Sequence, residues 1–89
     1  MPLFGLITIT GRLVRAARAL AGLTQRELAH KAHIAPGTVK RIEAQSGPVQ
    51  AQTDTVRKLV TALNHMGIEF TDAEHPGVRQ YPLQRRVRF

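Results

Sequence analysis

The chain has 89 residues, a length that corresponds to one domain. It contains no cysteine, which excludes a disulfide scaffold, a thiolate metal site and a cysteine nucleophile. Thirteen lysines and arginines against six acidic residues give a formal net charge of +7, and this balance in a small domain favours a polyanionic partner.

The first predicted element is an N-terminal arm or strand over residues 1–10. Residues 3–10 (LFGLITIT) alternate loosely and are rich in β-branched side chains, which suits a short strand. An apolar arm packed against the domain suits the same residues equally well, so both interpretations stay open.

A first helix is predicted over residues 11–21. The hydroxyl of Thr10 can cap its N-terminus, and Gly22 can close its C-terminus because glycine adopts the left-handed conformation easily. We expect its buried stripe to consist of the residues that recur at i, i+4 and i+7, which are Leu13, Ala17 and Leu20.

A second helix is predicted to begin after Thr24 and to end near Ala32. Thr24 and Glu27 have the spacing of a capping box, in which each side chain bonds to the backbone N–H of the other residue. The positions expected to face the core are Leu28, Ala29 and Ala32.

Residues 33–35 predict a tight turn, and a third helix follows from Pro36. Proline is favoured at the first helical position, where its missing N–H is no loss. Val39 and Ile42 are the expected core contacts, and residues 46–48 (SGP) are expected to break the helix. Because consecutive helix residues diverge by about 100°, Lys40 and Arg41 must then point to the surface.

A polar loop over residues 45–52 leads to a fourth helix, predicted at about residues 54–65. Thr53 is predicted to be its N-cap, and Gly67 is expected to end it. The buried face is predicted to consist of Val56, Leu59, Val60 and Leu63.

The C-terminal segments predict a small β-hairpin and a basic tail. Residues 68–71 and 78–81 alternate in the manner of strands, and the DAEHPG stretch between them is typical of a turn. Residues 82–89 contain three arginines and no acid, and they suit a mobile basic arm, a third strand or a frayed terminus.

The stretch RAARALAGLTQRELAHKAHIAPGTVKRIEA resembles the DNA-binding domain of the lambdoid phage repressor and Cro family, also called the XRE family. The resemblance covers about residues 11–67. The GIEF segment at residues 67–70 is similar to the strand that follows four helices in short bacterial and phage regulators of this family. The resemblance implies a mainly α, lambda-repressor-like fold of four to five helices, with a small C-terminal β-hairpin and a possible N-terminal strand.

The resemblance also implies roles for single residues. It implies a structural salt bridge between Arg18 and Glu43, and it places the start of the third, recognition helix next to the DNA bases. The expected base-reading residues are Pro36, Gly37, Thr38, Lys40 and Arg41. The expected phosphate contacts are Thr24, Gln25 and Arg26 at the start of the second helix, and Arg12 in the first.

Three positions depart from the family pattern. His33 stands where the turn usually has glycine, and Ala35 replaces the usual serine or threonine cap. Gly37 has no side chain with which to read a base, so we expect direct readout to depend on Arg41, Thr38 and Lys40.

We therefore predict a sequence-specific DNA-binding regulator, a repressor, that binds an inverted repeat of double-stranded DNA as a homodimer. The N-terminal strand and residues 68–81 are the expected dimer contacts. The alternative is an antitoxin or protein-interaction module whose partner binds residues 68–89, and RNA binding is a weaker third option.

No metal-ligand spacing, catalytic triad or phosphate-binding loop occurs in the sequence, so neither an enzyme activity nor a cofactor or metal is expected. No apolar run approaches the ~18 residues that span a bilayer. We therefore expect a cytoplasmic protein without membrane contact.

Overall fold

The computed structural model describes residues 9–71 and 75–81. Within this part of the chain it contains four helices followed by an antiparallel hairpin, as the sequence predicts. The elements are α1 (Gly11–Ala21), α2 (Gln25–Ala32), α3 (Pro36–Glu43), α4 (Thr53–His65), β1 (Ile68–Phe70) and β2 (Val78–Gln80). The predicted strand before Ile9 and the basic tail 82–89 lie outside the described residues.

The predicted caps of the first two helices are present. Thr10 Oγ1 accepts a hydrogen bond from the backbone N of Leu13 at 3.2 Å, and Gly22 closes α1 in the left-handed conformation with φ 74°. At the start of α2, the capping box of Thr24 and Glu27 is complete, with hydrogen bonds of 3.0 and 2.8 Å. Local sequence signals therefore fix where these helices begin and end.

The predicted buried stripe of α1 is partly wrong. Val14 and Ala17 are buried, Leu13 is half-buried, and Leu20 keeps 42% of its surface exposed. The buried face is centred between Val14 and Ala17, and Leu20 lies about 90° from that centre on the helix wheel. The prediction took Leu13 instead of Val14 as the first buried position, so the predicted face was rotated around the helix axis away from the observed one.

The start of α4 also differs from the prediction. Thr53 is the first helical residue, and Gln52 is the N-cap without a side-chain hydrogen bond. In the predicted face, Leu59 and Leu63 are buried while Val56 and Val60 are half-buried. The helix α3 ends at Glu43, before the SGP segment that was expected to break it.

The core is formed where α2 packs against both α3 and α4 and where the hairpin covers α1 and α4. Ile68 and Phe70 of β1 are buried in this core. Ile9 accepts a backbone hydrogen bond from Val49, which ties the chain before α1 to the loop after α3. None of the described helices is both long and apolar enough to cross a membrane.

Candidate nucleic-acid interface

The helix α3 has one face in the core and one in solvent. Val39 and Ile42 have no exposed surface, whereas Lys40 and Arg41 are exposed. Neither cation makes an ion pair with another described residue. The arrangement predicted from the sequence, with two free positive charges on the outer face of the third helix, is therefore present.

The turn between α2 and α3 depends on one residue with a left-handed backbone. His33 has φ 60° and ψ 44°, and its N–H donates to the carbonyl of His30 while the N–H of Ile34 donates to Ala29. These two bonds satisfy two of the last four carbonyls of α2. Histidine fills the position where glycine is easier, so the fold tolerates a strained residue here.

The start of α3 lacks a side-chain cap. Ala35 is the N-cap, and Pro36 occupies the first helical position, as predicted. The N–H of Thr38 donates to the carbonyl of Ala35, and no described side chain accepts from this end of the helix. Pro36 has no N–H, so the N–H of the exposed Gly37 and the positive end of the helix dipole face outward, which suits an anion.

A buried carboxylate holds the other end of α3. Glu43 is only 3% exposed, and Arg18 donates to both of its oxygens, from Nε to Oε2 at 2.7 Å and from Nη2 to Oε1 at 3.0 Å. The hydrogen bond to Glu43 raises the pKa of Arg18 above its ordinary value. A bidentate, charge-assisted pair of this kind fixes orientation as well as distance.

Two further residues complete the network around Glu43. Gln25, at the start of α2, donates from Nε2 to Oε1 of Glu43 at 3.0 Å. Arg15 donates from Nη2 to the backbone carbonyl of Glu43 at 3.4 Å, and its side chain is 62% exposed. Through Glu43, α1 and α2 hold the C-terminal end of α3 at a fixed angle.

Two helices joined by a tight turn, with the second braced by the others and its cationic face free, form the arrangement that inserts a helix into the DNA major groove. A family model described as helix-turn-helix matches residues 14–69. The chain belongs to the helix-turn-helix family. It is of the phage repressor and Cro type, and DNA-binding regulation is its general role. In a helix-turn-helix the second helix of the motif, here α3, is the one called the recognition helix. No curated protein matches the chain.

The predicted base-reading residues of this helix-turn-helix lie together on the first two turns of α3. Pro36, Gly37, Lys40 and Arg41 are exposed, and Thr38 is half-buried. A Cβ atom placed on Gly37 would meet nothing within 4 Å. The surface at Gly37 is therefore open to a close-approaching backbone or base.

Three of the predicted phosphate contacts, Thr24, Gln25 and Arg26, lie at the start of α2, and the fourth, Arg12, lies in the first turn of α1. Arg26 and Arg12 are exposed and make no ion pair with any residue that the structure describes. The oxygen of Thr24 accepts the capping bond, which leaves its hydroxyl hydrogen to donate. Gln25 uses one amide hydrogen on Glu43 and keeps the other.

The sequence makes Arg15 of α1, like Arg12, a cation that could contact a phosphate, although Arg12 alone is among the predicted contacts. The structure ties Arg15 to the last carbonyl of α3, beside Gln25 and Arg18, and leaves most of its side chain in solvent. Its spacing was a usable signal, because Arg15 lies three residues before Arg18 and therefore on the same helix face.

Proposed function

We propose that this helix-turn-helix protein is a sequence-specific transcriptional repressor that binds an inverted repeat of double-stranded DNA as a homodimer. The observation that carries the proposal is the free, exposed pair Lys40 and Arg41 on a recognition helix that Glu43 anchors from behind. A rigidly held helix can read bases because its side chains reach the same atoms at every encounter.

Base reading is assigned to the outer face of α3. Arg41 can donate two parallel hydrogen bonds to guanine O6 and N7, a contact that discriminates by about 1–3 kcal/mol against a wrong base. Thr38 and Lys40 lie beside it on the same surface, and Gly37 and Pro36 let the helix start approach the groove closely. With few long side chains at its start, this helix reads a short sequence per half-site.

Phosphate binding is assigned to the start of α2 and to α1. Gln25 is positioned by Glu43, so its free amide hydrogen has a fixed direction before DNA arrives. Thr24, Arg26 and Arg12 add a hydroxyl and two cations. Such contacts set the register of α3 in the groove and contribute most of the salt dependence of binding.

The homodimer is proposed on the basis of half-site geometry. One protomer offers one recognition helix, and a two-fold pair reads two half-sites about 34 Å apart. Ile68 and Phe70 of the hairpin are used in the core of the protomer, so their apolar side chains are not available to a partner. A hairpin contact between protomers would therefore use the strand edge and Tyr81, which is 45% exposed.

Sedimentation of the full chain tests the dimer. The wild type is expected to sediment as a dimer, and Tyr81→Glu is expected to shift it toward monomer because a charge would be buried in the interface. Leu20→Glu is the matched control, since Leu20 is similarly exposed on α1. If the dimer is equally stable in both variants, the hairpin is not part of the interface.

Selection of bound sequences from random duplex DNA tests the function as a whole. Enrichment of an inverted repeat with half-site centres about 34 Å apart supports a dimeric, sequence-specific reader. Transcription from a promoter that carries the selected repeat should then fall when the protein is added. Binding without enrichment, or enrichment of a single unrepeated half-site, contradicts the proposal.

A further inference from the structure

A second basic surface lies away from the recognition helix. Between the C-terminal end of α2 and one face of α4 there is an open hollow of about 240 Å³. Its floor consists of two small buried residues, Ala32 and Ala62, at the place where the two helices pack together. No residue of α3 and no member of the Glu43 network lines it.

The rim of this hollow is rich in groups that bind anions. Its polar members come from two separate stretches of the chain and converge on one opening: Lys31, His33, Arg57, Lys58, Thr61 and His65. The four from α4 recur at positions that share one helix face. Three permanent positive charges, two imidazoles and one hydroxyl thus surround a small space with an apolar floor.

One acidic side chain lies beside the rim. Asp54 is 3.4 Å from Nζ of Lys58 and 3.7 Å from Nη1 of Arg57, and all three side chains are well exposed. Pairs of this kind in solvent are weak and exchange readily. The permanent charges of the hollow and of Asp54 together leave a net charge of +2.

The usual structural reason for surface cations accounts for only part of this cluster. Lys31 and His33 lie at the C-terminal end of α2, where a positive charge interacts favourably with the helix dipole. Arg57 and Lys58 lie in the N-terminal half of α4, where the dipole gives them no such advantage. Their convergence with Lys31 places like charges together, which a bound anion would relieve.

We propose that this hollow binds the phosphate group of a small molecule, either free phosphate or a phosphomonoester. A phosphate carries a charge of about −1.5 to −2 at neutral pH, which matches the net charge of the hollow. Its oxygens accept from ammonium, guanidinium and hydroxyl donors, all of which the rim supplies. Because α3 lines no part of the hollow, the ligand and a DNA major groove would contact different surfaces.

Titration of the full chain, followed by NMR of its backbone amides, tests the proposal without DNA. The probes are inorganic phosphate and glycerol phosphate at about 150 mM salt, where diffuse surface attraction is screened. Saturable shifts confined to residues 31–33 and 57–65 are expected. Shifts with both probes indicate that the phosphate group itself is recognised, and shifts with glycerol phosphate alone indicate that an ester is required.

Charge-neutral variants locate the binding. The double substitution Arg57→Gln with Lys58→Gln is expected to weaken phosphate binding at least tenfold. Arg79→Gln, which removes an exposed cation on β2 outside the hollow, is expected to change it less than twofold. The amide spectrum shows whether each variant is folded.

Three outcomes would overturn the site. The first is unsaturable shifts over the whole basic surface, and the second is binding that survives the double substitution. In the third, the double substitution lowers affinity for duplex DNA as much as Arg41→Ala does, which would make the patch a DNA contact.

Discussion

The guanidinium of Arg18 in α1 and the carboxylate of Glu43 in α3 form a two-point hydrogen-bonded pair across 25 residues of sequence. The side chain of Glu43 is 2% exposed and that of Arg18 is 20% exposed. Removal of the arginine would leave a buried carboxylate with weaker partners, so we expect Arg18→Ala to lower the free energy of unfolding by about 3 kcal/mol.

Urea denaturation measures this loss. Arg57→Ala is the matched control, because Arg57 makes an exposed pair with Asp54 and should lose less than about 1 kcal/mol. A loss below 1 kcal/mol for Arg18→Ala would mean that Gln25 and Arg15 satisfy Glu43 without Arg18.

The contact between the start of α1 and the end of α3 depends on the absence of a side chain at Gly11. A Cβ atom there would lie 2.2 Å from the carbonyl oxygen of Gln45 and 2.4 Å from that of Ile42. Both obstacles are backbone, so Gly11→Ala should force the helices apart and destabilise the protein by about 1–3 kcal/mol. Thermal unfolding measures this loss of stability. Gly37→Ala is the control, because a Cβ atom there meets no atom within 4 Å, and it should be neutral or slightly stabilising.

The backbone of the turn before the recognition helix is strained at one residue, and a substitution can relieve that strain. His33 has φ 60°, a conformation that disfavours a side chain, so His33→Gly is expected to raise the free energy of unfolding by about 0.5–1 kcal/mol. Gly22 has a similar φ of 74°, and Gly22→Ala should lower the free energy of unfolding by about 1 kcal/mol. Chemical denaturation of both variants measures the pair of opposite shifts. Destabilisation by His33→Gly would show that the imidazole makes a compensating contact.

Substitutions should distinguish the residues that read bases from those that bind phosphates. Arg41→Ala is expected to lose about 1–3 kcal/mol of discrimination at one base pair in each half-site. Arg26→Ala should weaken all sequences about equally and reduce the slope of log affinity against log salt by about one unit. Binding measured on a set of single-base operator variants at several salt concentrations distinguishes the two. A uniform loss with Arg41→Ala would make Arg41 a phosphate contact.

The hairpin carries a pH-dependent interaction. The hydroxyl of Tyr81 donates to Oε1 of Glu69 at 2.8 Å, and Arg79 pairs with the same oxygen across the strands. The hydrogen bond from Tyr81, and then that from Arg79, lowers the pKa of Glu69 below its ordinary value. This contribution to stability is present above the pKa of an unfolded glutamate and is lost as pH falls through the lower folded value.

NMR titration of the Glu69 carboxyl carbon measures the shift directly. Tyr81→Phe removes the largest cause and should move the pKa of Glu69 upward, toward its ordinary value. An unchanged pKa in this variant would show that Arg79 alone sets it.

The sequence by itself determined the features that depend on near neighbours. The capping box of Thr24 and Glu27, the left-handed stop at Gly22 and the proline start of α3 each involve groups within four residues, so spacing and residue type are sufficient to predict them. The exposure of Lys40 and Arg41 followed from helical periodicity once Val39 and Ile42 were placed inside.

Only the tertiary structure decided which long-range partners meet. Gln25 and Glu43 are 18 residues apart, and their hydrogen bond depends on the angle between α2 and α3. The same angles leave Leu20 exposed, bring Arg15 to the end of α3 and gather Lys31, Arg57 and Lys58 around one hollow. Periodicity predicts which residues share a face of each helix. The angles at which the helices cross, which depend on their packing, decide what each face contacts.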